Sequence, residues 1–171
     1  MCIRDRVVTS SMKLDIRFLF INAYRYRYAA TEHWCNGQLV RLESTVDANG
    51  KRTRTLAKAT GRQLEIDGPH GRAVAPLGLF STNHWHSGVL EAATVLNTLT
   101  GRINQVQLAP CSPAPVREGP ANARCYDYTG ELTARVWYDQ DDRWLGLAFD
   151  GADGSRLEYR CVNCGGRTQP R

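Results

Sequence analysis

A chain of 171 residues, 42% of them hydrophobic and 23% charged, is long enough for an ordinary core and too apolar for wholesale disorder. Its formal charge of +5 comes from 22 basic and 17 acidic residues, and every basic residue is Arg except Lys13, Lys51 and Lys58. No apolar run approaches the roughly 20 residues that a membrane helix requires, so the sequence reads as having no transmembrane segment.

The opening residues, Met1–Arg6, have no hydrophobic periodicity and run directly into Val7–Met12. Residues 1–12 are therefore expected to be a non-native or disordered leader, and the domain to begin at Lys13. From there Leu14, Ile16, Phe18 and Phe20 alternate with Lys13, Asp15, Arg17 and Leu19, which is the period of a strand with one apolar face. Asn22-Ala23 is a candidate turn or bulge. Tyr24, Tyr26, Tyr28, Ala30 and Trp34 continue in phase on the next strand. Asn36-Gly37 and Asn49-Gly50 are strong hairpin signals, because both positions of a type I′ turn need a positive φ. They bracket a strand over 38–47 and open another over 51–60. Gln63–Asp67 follows, then a turn at Gly68-Pro69 and a short strand through Val74.

The segment 76–94 breaks this rhythm. Ser87 is placed to cap a short helix over Val89–Ala93. A strand is expected over Arg102–Leu108, and four prolines mark 110–120 as a surface loop or an irregular insertion. The stretch 123–161 then reads as four more strands. Leu132, Ala134, Val136 and Tyr138 share one face of the second of them. Leu145, Leu147 and Phe149 share a face of the third, and Leu157, Tyr159 and Cys161 a face of the fourth. Turn residues separate them at Thr129-Gly130, 139–142 and 150–154. Residues 162–171 are expected to form a flexible tail. Strands at this spacing, with at most one short helix, predict an all-β fold: a single domain over 13–161 built as a curved antiparallel meander or incomplete barrel.

The runs YRYRYAATEHWCNGQLVRLESTVDANGKR, STNHWH, LNTLTGRI and YDYTGELTARVWYDQDDRWLGLAFDGADGSRLEYR resemble a bacterial family of exported β-rich proteins classed only as a domain of unknown function. The resemblance covers about residues 13–160. It implies an envelope location, periplasmic or secreted, and a curved antiparallel sheet. It implies no activity and no catalytic set. Members usually carry a signal peptide and further strands before the point where this chain starts, so the resemblance implies an N-terminally truncated piece. The Cys161–Cys164 pair and the proline-rich loop depart from the family pattern.

Several constellations bear on chemistry. His84 and His86 are two residues apart, so on extended chain both imidazoles face one way and are candidate metal ligands. A third ligand would have to come from Glu91, His33 or His70, and no spacing selects one. Cys161 and Cys164 have the spacing of zinc knuckles and redox dithiols, yet no second pair exists and no helix follows. A disulfide from this pair to Cys125 or Cys111, or idle thiols near a frayed end, is the better expectation. Arg25 and Arg27, interleaved with Tyr24, Tyr26 and Tyr28, form the best polyanion patch. The charge is otherwise spread along the strands, so a solvated outer face is favoured and nucleic acid is not expected as a partner. No nucleophile elbow or phosphate loop is present, and no cofactor is called for.

Aromatic side chains remain. Trp137 is out of phase with Leu132, Ala134 and Val136, which puts apolar groups on both sides of that strand. Either both sides are covered or one forms a ligand groove. The expectation is a non-enzymatic envelope module that binds an apolar or lipid-like ligand, or a partner protein, with Tyr26, Tyr28, Trp85 and Trp137 lining the site. The competing class is a metal-dependent enzyme or metalloprotein centred on His84 and His86. The sequence does not fix the oligomeric state.

Overall fold

The structure is a computed structural model that describes residues 2–18, 21–111, 122–150 and 156–161, and the side chains of these except 16–18 and 21–23. It is all-β, with curved antiparallel sheets and a single 3-10 turn among the described residues. The expected tail at 162–171, most of the 110–120 loop and the turn at 151–154 lie outside the described residues. The chain groups into two compact units, residues 1–83 with 94–104, and 84–93 with 105–171. No helix among the described residues is long and apolar enough to cross a membrane.

The first unit is a six-stranded antiparallel meander in chain order. Its strands are β1 (Asp5–Phe18), β2 (Ile21–Cys35), β3 (Gln38–Ala48), β4 (Lys51–Thr60), β5 (Gln63–Gly68) and β6 (Gly71–Pro76). Both Asn-Gly pairs form the expected turns, with φ of 50° and 78° at Asn36 and Gly37, and 53° and 88° at Asn49 and Gly50. β1 starts at Asp5 and pairs with β2 from Asp5↔Cys35 onward, so most of the segment read as a leader is strand. The pairing skips Ala23, which makes the Asn22-Ala23 irregularity a bulge rather than a turn.

A second bulge explains a feature that strict alternation does not. Leu39 and Leu42 are both fully buried although three positions separate them. Trp34 pairs with Leu39 and His33 with Arg41, so Val40 is the extra residue and the phase of β3 flips there. After that reset the inner face holds Tyr28, Ala30, Glu32 and Trp34 of β2, Leu42 and Ser44 of β3, Thr55 and Ala57 of β4, and Leu64 and Ile66 of β5. Two short strands, β7 (Phe80–Ser81) and β8 (Thr94–Leu96), pair in parallel in the same unit and bury Ser81, Val95 and Leu96. Gly68 and Gly101 meet backbone to backbone: a Cβ on Gly68 would lie 2.9 Å from the Thr100 carbonyl oxygen.

The second unit opens with a 3-10 turn over Ser87–Glu91. The cap is His86 rather than Ser87, because the His86 ring, not the serine hydroxyl, accepts the Gly88 N–H. β9 (Ile103–Pro110), β10 (Arg124–Gly130), β11 (Ala134–Tyr138), β12 (Trp144–Asp150) and β13 (Arg156–Arg160) then follow as an antiparallel meander. Val136, Trp137 and Tyr138 are consecutive and all buried, so both sides of β11 are covered. Trp137 pairs with Gly146, where a Cβ would stand 2.7 Å from the Tyr159 carbonyl oxygen and 3.4 Å from the Trp137 ring. On β12 the residues most deeply buried are Gly146 and Ala148, while Leu145, Leu147 and Phe149 are only half-buried.

Candidate functional site

Two groups of polar side chains are sealed into the interior, one in each unit. In the first unit the centre is Glu32, which has no exposed surface. Period-two alternation puts it on the inner face of β2, between Ala30 and Trp34. A buried carboxylate is costly unless donors reach it. Trp34 Nε1 donates to one carboxylate oxygen at 2.9 Å and Asn83 Nδ2 to the other at 2.7 Å. Asn83 is set by the turn that follows β7, where its own N–H reaches the Ser81 hydroxyl at 3.3 Å.

The network continues through Tyr28. Its hydroxyl lies 2.7 Å from Asn83 Oδ1, to which it donates, and 2.8 Å from Thr98 Oγ1. Thr98 is held in turn: its N–H donates to Thr82 Oγ1 at 3.1 Å, and its carbonyl accepts from the Ser44 hydroxyl. Burial raises the Tyr28 pKa above its ordinary value, so the hydroxyl stays protonated and serves as a donor.

In the second unit the centre is His84. Its backbone is left-handed, with φ of 60°, which aims the ring inward and leaves its carbonyl to accept from the Tyr138 hydroxyl at 2.7 Å. The ring meets Tyr128 edge-on at a centroid distance of 5.2 Å, with Nδ1 3.2 Å from the Tyr128 oxygen. Burial pushes the His84 pKa down to about 4, so the imidazole is neutral at neutral pH. Burial also raises the Tyr128 and Tyr138 hydroxyls above their ordinary range.

These groups lie in the runs Tyr24–Trp34, Ser81–His86 and Asn97–Gly101, together with the closing meander. The family model of a domain of unknown function (DUF6134) matches residues 4–162. The chain belongs to that family. Among curated proteins and among solved structures nothing matches it. The DUF6134 assignment covers both units and fixes no chemistry, so the residues must speak for themselves.

Of the four side chains expected to line an apolar site, Tyr28 and Trp137 are packed inside the DUF6134 domain, at 9% and 2% exposure. Tyr26 is half-buried on the inner face of β2 and stacks on Tyr24 at 6.4 Å. Trp85 is half-buried and meets the His86 ring edge-on at 5.2 Å. Within the first unit Tyr26 and Tyr28 share a face, and in the second Trp137 sits on β11 while Trp85 precedes the 3-10 turn. Trp137 Nε1 is buried without a hydrogen-bond partner among the described residues.

The two candidate metal ligands have other roles. His84 Nδ1 faces a tyrosine hydroxyl, and His86 Nδ1 accepts the Gly88 N–H at 3.1 Å. Among the described residues no three His, Cys, Asp or Glu side chains come together in a way that could hold a metal ion. Cys111 is bonded to Cys125 and Cys2 to Cys35, so neither Cys111 nor Cys125 is the partner of Cys161. The Cys111–Cys125 pair forms because the ladder brings their backbones together: Cys111 N–H donates to the Cys125 carbonyl at 3.1 Å. Cys164 lies outside the described residues.

The polyanion patch is also split by the pleat. Tyr24, Tyr26 and Tyr28 point to the inner face, while Arg25 and Arg27 point to the outer one. On that outer face a groove of about 620 Å3 crosses β1–β4. Glu32 and its network were the functional-looking residues that periodicity did not single out. The available signal was a glutamate falling in the apolar phase of Tyr24–Trp34.

Proposed function

We propose that this DUF6134 chain is a non-enzymatic β-rich module of the bacterial cell envelope that acts by binding, through its surface rather than through an apolar interior pocket. The observation that carries the reading is the state of its buried ionisable groups. Glu32 is held by donors on both oxygens, and His84 is kept neutral beside a tyrosine. Both are sealed from the surface, at 0% and 5% exposure, so neither is placed to pass a proton to a substrate there. Tyr28 and Trp137, two of the four residues of the expected apolar lining, are packed, and an apolar ligand would have to displace them. The cross-strand Cys111–Cys125 disulfide supports an oxidising compartment, where such bonds persist.

Fractionation of cells expressing the full-length protein, with peptide mapping under non-reducing conditions, tests the location. The expected result is recovery from the envelope fraction with the Cys111–Cys125 peptide intact. Recovery from the cytosol with free thiols would overturn it. Native mass spectrometry of the same material tests the mode of action: a co-purifying lipid would defeat the surface-binding reading, as would a stoichiometric metal ion.

A further inference from the structure

The outer face of β1–β4 carries its charges in an unusual arrangement, with each acidic side chain set between two cations. Asp15 is shared by Lys13 and Arg27, both at 3.4 Å. Glu43 is shared by Arg54 at 2.8 Å and Arg41 at 3.9 Å. Asp47 takes Arg52 Nε at 3.0 Å, and Arg25 stands near enough to add its field to the same carboxylate. With Lys58, which lies opposite Arg41, and Asp5 on the same face, the described side chains make seven cations against four carboxylates, a surplus of three positive charges on one face of four strands.

The groove of about 620 Å3 lies among these charges. One wall is the registered row Lys13, Arg27, Asp47 and Arg52. The facing row is low, because Ala29 and Thr45 are short, and it ends at Arg54. A second hollow of about 420 Å3 shares Arg52 and Arg54 and reaches β5 at Asp67. The two arginines therefore stand between two depressions aligned across the strands. The ion pairs that hold these cations are exposed, and such pairs contribute little, about 0–1 kcal/mol each, so the guanidinium groups can turn to a competing anion.

The shape and chemistry of the groove narrow its ligand. Neighbouring strands are about 4.8 Å apart, so Lys13 and Arg27 stand one strand spacing apart and Arg52 two spacings beyond Arg27, with Asp47 between them. This suits an extended polymer whose acidic groups recur along its length. Guanidinium forks pair with carboxylates through two parallel hydrogen bonds. The Tyr28 ring is turned to the buried side, and no other aromatic residue lines either hollow, so base stacking is not offered. The exposed large hydrophobic residues, Ile3, Val7, Val74 and Leu99, lie outside both hollows, so nothing there would insert into a bilayer. We propose that the outer face of β1–β5 is a binding groove for an extended acidic polysaccharide, with Arg27, Arg52 and Arg54 engaging its carboxylates. The proposal rests on the reading of the chain as a surface-binding module and names its ligand class.

Calorimetric titration of the full chain with polygalacturonate oligomers tests it. Binding is expected, weakening as salt is raised. The triple variant Arg27→Gln/Arg52→Gln/Arg54→Gln is expected to bind at least about tenfold more weakly, with an unchanged unfolding midpoint. A charge-matched variant in the second unit, Arg143→Gln/Arg156→Gln/Arg160→Gln, is expected to bind as the parent does. Equal loss in both variants would overturn the groove in favour of diffuse net-charge attraction. Unimpaired binding by the first variant would also overturn it, as would binding of single-stranded DNA or phosphatidylglycerol vesicles but not the glycan. A failure to bind any of these probes would defeat the groove alone, since fractionation decides the compartment independently.

Discussion

Among the described residues, the first unit buries a glutamate and the second a histidine, and the two solve the problem differently. Glu32 in the first unit is surrounded by donors, Trp34 Nε1 and Asn83 Nδ2, because a carboxylate has only acceptor sites to satisfy. His84 in the second unit has one polar neighbour for its ring, the Tyr128 hydroxyl, and burial suffices to hold it neutral. The carboxylate has to be provided for by distant parts of the chain, with Asn83 51 residues away. The imidazole needs less, since it can shed its proton. The first arrangement is therefore sensitive to which atoms are present, and the second to pH.

The sharpest way to break this contrast is Glu32→Ala, which leaves the indole and amide donors facing a void. A loss of roughly 4 kcal/mol is expected in urea unfolding. Glu32→Gln keeps one acceptor and should lose about half as much. Next in size is the pH response of His84. Its unfolded pKa is 6.5 and its folded pKa about 4, so the unfolded state binds the extra proton between these values. Stability is then full above 6.5, falls as the pH drops towards 4, and levels off below, by roughly 3 kcal/mol in all. His84→Asn, which tolerates the left-handed backbone, should remove that slope. Were the slope to persist in the variant, the buried imidazole would not be its source.

Smaller effects refine the picture. Tyr28→Phe removes the hydroxyl that links Asn83 to Thr98 and should cost about 1–2 kcal/mol, measured at pH 7. The smallest expected change concerns Asp47 on the outer face, whose pKa is lowered by its hydrogen bonds from Arg52 and the Gly50 N–H. A carboxylate depressed on folding stabilises above its unfolded pKa and stops doing so as the pH falls through its folded one. Asp47→Asn should therefore differ from the parent near neutrality and converge with it in acid. A gap that widened in acid would contradict the sign.

Much of the architecture was legible because it depends on local rules. Asn36-Gly37 and Asn49-Gly50 fixed two hairpins, and the alternation of Tyr24, Tyr26 and Tyr28 fixed the faces of β2. What was not legible depends on partners. The phase flip at Val40 arises from how β3 meets β2, and nothing in the run Leu39–Leu42 announces it. The cap of the 3-10 turn shifted from Ser87 to His86 because a ring nitrogen two residues back reached the Gly88 N–H. The polar network was half visible: Ser81–Asn83 and Asn97–Thr98 lie in runs that carry the family resemblance, but their convergence on Glu32 and Tyr28 is a long-range fact. The separation of arginines from tyrosines followed directly from the pleat.

The carboxylate of Glu32 has one more consequence, for how the long second strand finds its place during folding. Sliding β2 by a single position would turn Arg27, Ala29, Thr31 and His33 towards the interior and carry Glu32 and Trp34 into water, stranding Asn83. The apolar face already opposes that slip, and the glutamate adds a polar penalty of its own. One acidic group with waiting donors acts as a key that admits a single alignment.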